Sequence, residues 1–438
     1  MHDLLGGVFR ALERADIPYC LLRDDERPGA LARGGEVDVL VAPERWADLR
    51  DVATGMGFAD LARWGHAPHH FLVAYDPGAD TWLKLDVVTA IAFGRPAHAL
   101  ATDMAPDALR RRRRAGPAYA LAPEDALVTL LLHCLLDQGA FPEHHRARLT
   151  RLRAGIVDAA LVADLLDRYA GPSLTWPRVA RWVDAGGWDA MLAERRAVAE
   201  HLAGRDRLAT SGRRLRDPAL RKLDRARGLL RPRVPTVALL APDGAGKTTL
   251  AAGLAATFYF PTCSLYMGLY PKGARRSPLA RVKGLGLIGR LATQWRRCLV
   301  ARAQQGRGRL VIFDRYAYDA YLPARRPQGA LRRLRRWLLA RTCPPPDMAI
   351  LLDGPGVVLF ARKGEHSPAA LEAQRQHYLA LRPHVPQMMV VDATNDADQV
   401  RRDALTLIWR RYAERGPRPA HRSPVAPAPV GNHVSGLG

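Results

Sequence analysis

One segment constrains the fold of this chain more than any other. Residues 236–257 run from an apolar strand, TVALLA, through the loop PDGAGKTT into an alanine-rich helix. Gly244 and Gly246 let the backbone turn its N–H groups inward around the β- and γ-phosphates of a nucleotide. Lys247 supplies a positive charge to those phosphates, Thr248 offers a hydroxyl to Mg²⁺, and the positive end of the helix adds to the anion site. The segment therefore predicts a phosphate-binding loop between a buried strand and a helix.

The loop departs from the pattern GxxxxGK[ST] at one position, because Ala241 stands where the first glycine is usual. Alanine has a Cβ atom but adopts most loop conformations, so we expect the loop to keep its shape. A chance glycine-rich turn is the alternative, and the strand before and helix after the loop argue against it. We predict ATP and Mg²⁺ as cofactors. The predicted ATP-binding residues are Asp243, Gly244, Ala245, Gly246, Lys247, Thr248 and Thr249.

Residues 234–413 alternate strands with helices, which is typical of a parallel sheet with crossover helices. The predicted strands are near-continuous apolar runs, as in strands that are buried on both faces. They are TVALLA (236–241), SLYMG (264–268), RLVIFD (309–314), DMAILLD (347–353) and QMMVVDA (387–393). We therefore predict an α/β domain with a five-stranded parallel sheet and helices on both faces.

Acidic residues close two of these strands. Asp314 ends RLVIFD, where its carboxylate can reach Mg²⁺ directly or through water, and the adjacent Arg315 can bind an acceptor phosphate bidentately. A structural ion pair between these two residues is the alternative. Asp353 ends the next strand and is suited either to orienting water around the metal or to capping a helix. We predict Lys247, Asp314 and Arg315 as catalytic residues, and Thr248 and Asp314 as metal ligands.

The helix after Asp353 is interrupted by a polar, basic turn, ARKGEHSP. Arg362 and Lys363 lie where a mobile lid can place positive charge on the transferring phosphoryl group and exclude water on closure. Alternatively, both residues belong to the solvated end of a helix. We predict Arg362 as a catalytic residue and Lys363 as part of the ATP site.

Together these motifs resemble the thymidylate-kinase-like members of the nucleoside-monophosphate kinase group, over roughly residues 234–413. The matching residues are Asp243, Gly244, Gly246, Lys247 and Thr248 in the loop, Asp314, Arg315 and Tyr316 in DRY, and then Asp353, Arg362, Glu365 and Tyr378. The resemblance implies a P-loop fold, ATP as the phosphoryl donor, contact of Arg315 with the acceptor's monophosphate, and a lid that closes over ATP.

The predicted acceptor pocket departs from that family. Thymidylate kinases carry an E-P-G-G-T-type segment after the second strand, whereas this chain has LYMGLYPKGARR at 265–276. We therefore predict a kinase for a small-molecule acceptor that is anionic or hydroxylated, such as a nucleoside monophosphate or a sugar derivative. Tyr266, Lys272 and Arg315 are expected to shape its pocket. A nucleotide-dependent switch that phosphorylates no metabolite is the alternative.

The N-terminal region contains a second group of acidic residues. GGEVDVLV places Glu36 and Asp38 on one face of a strand, because side chains alternate along a strand. In TWLKLDVV, Asp86 shares a face with Lys84. Two acids on one strand and a third on a neighbouring strand can hold two Mg²⁺ ions for nucleotidyl transfer. We predict Glu36, Asp38 and Asp86 as metal ligands.

This pattern resembles the G-[GS]-x-D-x-D core of the minimal nucleotidyltransferase fold, with Glu36 in place of the first aspartate. His69, His70 and the helical segment at 123–136 are compatible with its uncharacterised branch. The resemblance covers about residues 1–200, and implies an α+β domain with a helical extension that acts on a metabolite or on nucleic acid. An edge strand with solvated acids and a degenerate, inactive domain are the alternatives.

Composition shifts along the 438 residues predict several units, since one ordinary core rarely grows this large. They are a nucleotidyltransferase-like α+β domain at 1–118, a helical extension at 119–200, a basic helical linker at 201–233, a kinase domain at 234–413 and a disordered tail at 414–438. His133 and Cys134 lie inside an apolar helix, and we expect both to be core residues.

The chain has 66 basic and 43 acidic residues, for a formal net charge of +23. Such a surface attracts nucleic acid, anionic lipid or phosphorylated ligands, but the arginines are spread out without interleaved aromatic residues, which argues against specific nucleic-acid binding. The 5 cysteines are scattered and form no CxxC pair, which predicts reduced thiols and a cytoplasmic location. The sequence also predicts no transmembrane helix. A homodimer is among the expectations.

Overall fold

A computed structural model describes residues 2–23, 35–61, 68–94, 98–230, 233–268, 285–323, 329–364, 366–385 and 387–416. Three sequence predictions lie outside these ranges: the role of Lys272, the matching residue Glu365, and the tail beyond residue 416. Within the described ranges, none of the helices combines the length and the apolar character that crossing a membrane requires.

The N-terminal part is built on a mixed sheet with helices beside it. The strands are β1 (Tyr19–Leu21), β2 (Gly35–Val41), β3 (Ala59–Asp60), β4 (His69–Asp76), β5 (Thr81–Val88), β6 (Ala92–Phe93), β7 (Leu100–Ala101), β8 (Arg113–Ala115) and β9 (Ala118–Ala120). The helices are α1 (Asp3–Arg14), α2 (Trp46–Gly55) and α3 (Ala105–Arg111). Seven strands form one sheet in the order β3-β4-β5-β2-β1-β9-β8, while β6 and β7 pair separately.

Strands β2 and β5 are parallel neighbours, and their register sets the position of the acidic residues. Glu36 pairs with Lys84 and Asp38 pairs with Asp86. Alternation therefore places all four side chains on one face of the sheet, as the sequence predicted. The opposite face carries Val37, which is buried in a core shared with α1. The predicted α+β arrangement is thus present, and its likeness to nucleotidyltransferases stays a prediction.

A helical segment follows the sheet. It consists of α4 (Pro123–His133), α5 (Glu143–Ala154), α6 (Ala159–Tyr169), α7 (Trp176–Ala185), α8 (Trp188–Ala193), α9 (Arg195–Arg205) and α10 (Arg207–Leu230). Helix α4 begins at a proline with acidic residues in its first turn, and Cys134–Gln138 continue it as one π-helical turn. Both acids of the first turn are buried and satisfied, since Glu124 accepts from the Val157 and Asp158 N–H groups and Asp125 binds Arg111.

The C-terminal part is a doubly wound α/β unit. Its strands are β10 (Thr236–Leu240), β11 (Thr262–Tyr266), β12 (Leu310–Asp314), β13 (Met348–Asp353) and β14 (Met388–Asp392). Its helices are α11 (Lys247–Thr257), α12 (Leu285–Gly306), α13 (Ala330–Thr342), α14 (Gly356–Lys363), α15 (Pro368–Leu379) and α16 (Ala397–Glu414). The five strands are all parallel, in the order β11-β12-β10-β13-β14. The predicted strands and sheet are confirmed.

Both faces of this sheet are buried because helices cover each of them. Along β10, Val237 and Leu239 belong to one hydrophobic core, whereas Ala238 and Leu240 belong to another. Because β10, β12 and β13 are parallel neighbours, their carboxyl ends lie at the same edge of the sheet. Ligands bind at this edge in folds of this kind.

The two sheets are joined by a packed interface. Tyr75 of β4 belongs to the same hydrophobic core as Val237 and Leu239 of β10. The indole N–H of Trp82 in β5 donates to the carbonyl of Thr257, the last residue of α11, at 2.8 Å. Arg401 of α16 is 8% exposed and donates to both carboxylate oxygens of Asp80, at 3.0 and 2.5 Å. The hairpin β4–β5 thus contacts the helix that follows the predicted phosphate loop.

Candidate active site

The loop after β10 has the backbone that its glycines permit. Gly244 and Gly246 have φ angles of +88° and +89°, in the left-handed region that a side chain disfavours. A Cβ atom at Gly244 would also approach the carbonyl oxygen of Leu359 in α14 to 3.2 Å. Ala241 is buried and is absent from the residues with positive φ. The loop therefore keeps its conformation with alanine at its first position.

Lys247 lies inside this loop rather than in solvent. Its Nζ donates to the carbonyl oxygens of Ala241 and Pro242, at 2.8 Å each. Burial, reinforced by the nearby charge of Arg315, lowers the pKa of Lys247 to about 8. A buried ammonium group whose hydrogen-bond partners are carbonyl oxygens attracts an anion strongly.

Asp243 and Arg315 connect the loop to the end of β12. An Arg315 Nη donates to an Asp243 Oδ at 2.7 Å, and the guanidinium also lies 3.7 Å from Asp319. Arg315 has a φ of +62°, which is uncommon for a residue with a side chain. The backbone turn after Asp314 therefore directs the arginine toward the loop, as the acceptor-binding prediction requires.

The carboxyl groups on either side of Arg315 have pKa values shifted in opposite directions. Burial alone would raise the pKa of Asp243, but Arg315 and Lys247 lower it overall. Asp319 is more deeply buried, and burial raises its pKa despite the same two cations. Environments that separate the pKa values of two carboxyl groups are typical of active sites.

Asp319 is a site residue that the sequence did not identify. The hydroxyl of the buried Tyr378, in α15, donates to its carboxylate at 3.4 Å. Burial raises the pKa of Tyr378 above its usual value, so the phenol stays protonated as a donor. Asp319 lies in the segment DRYAYDAY but outside the matching DRY residues, so the sequence pattern assigned it no role.

The predicted metal ligands Thr248 and Asp314 lie at the same edge of the sheet. Thr248 is in the first turn of α11, and Asp314 pairs with Leu239 near the end of β10. Asp314 is close enough to Lys247 for its charge to raise that residue's pKa against the dominant effect of burial. A hydroxyl and a carboxylate are hard oxygen donors and fit Mg²⁺.

Asp353 was predicted either to orient water around the metal or to cap a helix, but its observed contact is with an arginine. It binds Arg375 of α15 bidentately, at 2.7 and 3.0 Å. Pro355 occupies the N-cap position of α14, and Glu372 instead accepts the hydrogen bond from the Gly356 N–H. The helix-capping interpretation of Asp353 is therefore wrong, because a carboxylate from the next helix caps α14.

The two predicted lid cations point to different places. Arg362 donates to the carbonyl oxygen of Ala393, directly after β14, at 2.6 Å. Lys363 is exposed, and its Cβ lies 3.5 Å from where a Cβ of Gly244 would be. Of the two residues, the structure brings only Lys363 beside the phosphate loop.

Tyr266 ends β11 in register with Asp314. The guanidinium of Arg297, in α12, lies 5.7 Å from the centre of its ring. Tyr266 and Arg315 are thus at the same edge of the sheet, as the acceptor-pocket prediction requires. The rest of the segment LYMGLYPKGARR beyond residue 268 lies outside the described residues.

The structure brings the three predicted N-terminal metal ligands together. Among the described residues, Glu36, Asp38 and Asp86 are a group whose carboxylate oxygens all lie within 4.8 Å of one another. Asp86 is buried, Asp38 is half-buried and Glu36 is exposed. Three converging carboxylates are suited to a hard divalent cation.

Each of these carboxylates also contacts a basic side chain. Lys84 Nζ lies 2.7 Å from Glu36, and Arg23 Nε lies 2.9 Å from Asp38. His69 Nδ1 lies 2.9 Å from Asp86. His69 therefore belongs to this group, whereas His70 stacks on Trp46 with 4.2 Å between ring centres.

His133 of α4 contacts Arg23 and so connects the three carboxylates and their basic partners to the helical segment. Arg23 lies 2.9 Å from its Nε2, and its Nδ1 lies 2.8 Å from Asp137. Asp137 also accepts from the Gly94 N–H at 2.8 Å. Cys134 belongs to the hydrophobic core and His133 is buried beside it, as predicted, with Asp137 of the π-helical turn as its hydrogen-bond partner.

The C-terminal part of the chain is similar to known thymidylate kinases. It is 31% identical over 216 residues to the thymidylate kinase of Xanthomonas euvesicatoria pv. vesicatoria (strain 85-10), covering 44% of this chain and 91% of that protein. It is 30% identical over 203 residues to the thymidylate kinase of Xanthomonas campestris pv. campestris (strain B100), covering 41% and 85%.

Two further comparisons add little. No protein-family model matches the chain. Among solved structures, a deoxyadenosine kinase from M. mycoides with bound dATP aligns over 38% of this chain and 95% of its own, with 15% identity and a TM-score of 0.26. A TM-score this low supports no conclusion about this chain.

Proposed function

The chain belongs to the thymidylate kinase family through its C-terminal domain, and from this premise we propose that it transfers the γ-phosphoryl group of ATP to a small-molecule acceptor. The observation that carries the proposal is the contact between loop and strand end. Lys247 is held on the loop's own carbonyl oxygens, and Asp243 of the same loop binds Arg315 at 2.7 Å. The residues proposed to bind ATP and those proposed to bind the acceptor are therefore within one charged cluster.

In this proposal Lys247 and the N–H groups of the loop bind the β- and γ-phosphates of ATP. Thr248 and Asp314 would hold Mg²⁺, and the bound ion would neutralise part of the phosphate charge. Arg315 leaves Asp243 to bind the acceptor's phosphate, and Lys363 adds charge from the adjacent α14. Arg362 is proposed to support the ATP site through the carbonyl groups beyond β14, since it contacts Ala393.

The acceptor is tested by a screen with labelled ATP, with thymidylate as the reference because the relatives are thymidylate kinases. Acceptor-stimulated ADP release is the measurement. We expect Lys247→Ala to lower kcat/KM by about 10²- to 10³-fold, because it removes a charge from the transferring phosphoryl group. Lys222→Ala on the exposed face of α10 is the matched control.

Arg315→Ala tests the acceptor assignment separately. We expect it to raise the KM for the acceptor about 100-fold, since a charge-assisted bidentate contact is lost, while the KM for ATP changes little. Arg309→Ala removes an exposed arginine from the opposite end of β12 and should have no such effect. Full activity of Arg315→Ala would show that another residue binds the acceptor.

A nucleotide-dependent switch without phosphoryl transfer is less consistent with the chain's relatives, which are kinases. The screen distinguishes the two functions. A switch would bind ATP but release no additional ADP with any acceptor, whereas a kinase would release ADP in proportion to the product formed.

A second activity is proposed for the N-terminal domain, because the oxygens of Glu36, Asp38 and Asp86 converge within 4.8 Å. The three carboxylates would hold a divalent cation for nucleotidyl transfer to a metabolite or to nucleic acid. Incorporation of label from a nucleoside triphosphate should be abolished by Asp38→Ala and unaffected by Asp167→Ala, which changes an exposed acid on α6. Incorporation that survives Asp38→Ala would refute this role of the carboxylates.

We also propose that the chain forms a homodimer through α12 and α13. These helices contact each other and expose Trp295 and Leu299, and Leu334 and Trp337, with 47%, 64%, 52% and 45% exposure. Exposed apolar groups of this kind are typical of protein contacts. Light scattering should give a dimer mass, and a monomer for Trp295→Arg. A wild-type monomer mass would contradict the proposal.

A further inference from the structure

The N-terminal carboxylates are balanced by cationic partners that come from separate parts of the chain. Lys84 lies on β5, His69 on β4, and Arg23 follows β1. Three carboxylates this close repel one another, so each nearby positive charge stabilises the arrangement. A divalent cation at the carboxylates would therefore compete with these internal partners for the same oxygens.

Arg23 differs from Lys84 because it has a second anchor. The nitrogen Nε2 of His133 lies 2.9 Å from the Arg23 guanidinium, while Nδ1 of the same ring lies 2.8 Å from Asp137. The same Arg23 nitrogen also lies 3.1 Å from Nδ1, so the guanidinium lies against both ring nitrogens, and the Gln138 amide nitrogen approaches Nε2 at 3.2 Å. Arg23 can then lose Asp38 and still be held in the site. Lys84 has no equivalent anchor in an imidazole; its ammonium group lies 4.1 Å from the centre of the Phe71 ring.

We propose that Arg23 couples cation binding to anion binding in the N-terminal site. A divalent cation on Asp38 takes the place of the guanidinium, and the released guanidinium, still anchored on His133, binds a phosphate-bearing ligand. Each ligand thereby makes the other bind more tightly. The inference depends on the metal-binding role proposed above for Glu36, Asp38 and Asp86, and it adds the residue that recognises the anion.

The surroundings of His133 favour an anion. The ring of His145 lies 5.8 Å from that of His133, and Arg148 is buried close by, donating to the Arg23 carbonyl oxygen. Burial, together with nearby basic groups that include Arg23 and Arg148, lowers the pKa of His145 to about 4. Arg23 and Arg148 thus place two guanidinium groups near His133 and His145, and positive charge of this kind attracts a phosphate.

The coupling is tested by titrating the full chain with Mn²⁺ in the presence and absence of sulfate. Free Mn²⁺ is measured by electron paramagnetic resonance, and sulfate serves as a tetrahedral dianion that binds Mn²⁺ only weakly in water. All proteins carry Lys247→Ala, so that sulfate does not bind in the P-loop. We expect sulfate to tighten Mn²⁺ binding about fivefold or more, in the usual range of coupling between sites.

Two variants separate the coupling from simple charge removal. Arg23→Met should bind Mn²⁺ more tightly than its parent, because a competing cation is gone, and should show no response to sulfate. Lys84→Met also removes a counter-ion of the carboxylates and should bind Mn²⁺ more tightly, but it should keep the sulfate response. Circular dichroism and thermal melting confirm that each variant is folded.

The possible outcomes distinguish this inference from the metal site on which it depends. If Mn²⁺ binding is lost in Asp38→Ala but sulfate has no effect on the parent, or Arg23→Met retains the sulfate response, the coupling is refuted and the metal site stands. If no Mn²⁺ binds, or Asp38→Ala binds it unchanged, the metal-binding role of the carboxylates is itself refuted, and the coupling with it.

Discussion

The two candidate sites of this chain hold their charged groups in opposite ways. In the P-loop, the ammonium group of Lys247 is held by neutral carbonyl oxygens, at 2.8 Å. In the N-terminal site, Glu36 and Asp38 are held by the charged groups of Lys84 and Arg23. A phosphate that binds Lys247 replaces carbonyl dipoles at its ammonium group, whereas a metal ion entering the N-terminal site must displace charged groups from the carboxylates. The first site is therefore ready for its ligand, and the second requires rearrangement.

The largest effect expected on the affinity for ATP comes from the backbone of the P-loop. Gly244→Ala places a Cβ at a φ of +88° and at 3.2 Å from the Leu359 carbonyl oxygen, so the loop or α14 must shift. We expect the Kd for ATP to rise about 10- to 100-fold, which corresponds to about 1.4–2.8 kcal/mol of lost binding free energy. Isothermal titration calorimetry measures the change.

Ala241→Gly is the matched control in the same loop. It restores the usual first glycine of the motif at a position whose φ already suits alanine, so ATP affinity should stay within about twofold. A large gain in affinity would show that the Ala241 side chain restricts the loop. An unchanged Kd in Gly244→Ala would show that the loop is not the ATP site.

The P-loop could be predicted from sequence because its chemistry is contiguous. One strand, one loop and one helix supply the backbone N–H groups and Lys247, and the five apolar runs identified all five strands of the sheet. The convergence of Glu36, Asp38 and Asp86 was also predictable, since strand alternation sets their faces. The first conclusion needs no information about distant parts of the chain, whereas the second also needs the pairing of β2 with β5.

The remaining site residues depend on contacts between distant segments. Asp319 gains its position from Tyr378, and Arg23 from His133, which is 110 residues away in sequence. Asp353 was expected to cap a helix, but Arg375 of α15 takes its carboxylate. Local patterns show which residue types are present, whereas packing of one element on another decides which side chains meet.

A second prediction uses the unusual pKa of Lys247. In the free protein this pKa is about 8, and bound phosphates stabilise the ammonium form and raise it. ATP affinity should therefore be constant below pH 8 and fall by about tenfold per pH unit as the pH rises above it, because the lysine must then take up a proton to bind. Titrations with ATP between pH 7 and 9.5 measure this slope.

Lys247→Arg provides the comparison for that profile, since a guanidinium group stays charged throughout this range. The variant should bind ATP more weakly at pH 7 and show a flat profile up to pH 9.5. A wild-type profile that is equally flat would mean that burial and the charge of Arg315 do not lower the lysine pKa as described.

The smallest expected effect concerns the interface that joins the two regions. Asp80→Ala leaves the buried guanidinium of Arg401 with its weaker contact to Asp398, at 3.4 Å. The expected loss is about 1–2 kcal/mol in the free energy of unfolding, less than for a fully buried pair because the Asp80 side chain is 34% exposed. Urea denaturation measures it, with Asp398→Ala, whose side chain is 75% exposed, as the matched control.

The same pair gives a pH dependence with a definite sign. The hydrogen bonds from Arg401 hold the pKa of Asp80 at about 2, below the 3.8 of an ordinary aspartate. Its contribution to stability is therefore complete above pH 3.8 and disappears as the pH falls toward 2. Wild type should lose stability across that range more steeply than Asp80→Ala, and the two curves should converge near pH 2. Parallel curves would show that this contact contributes no charge-dependent stability.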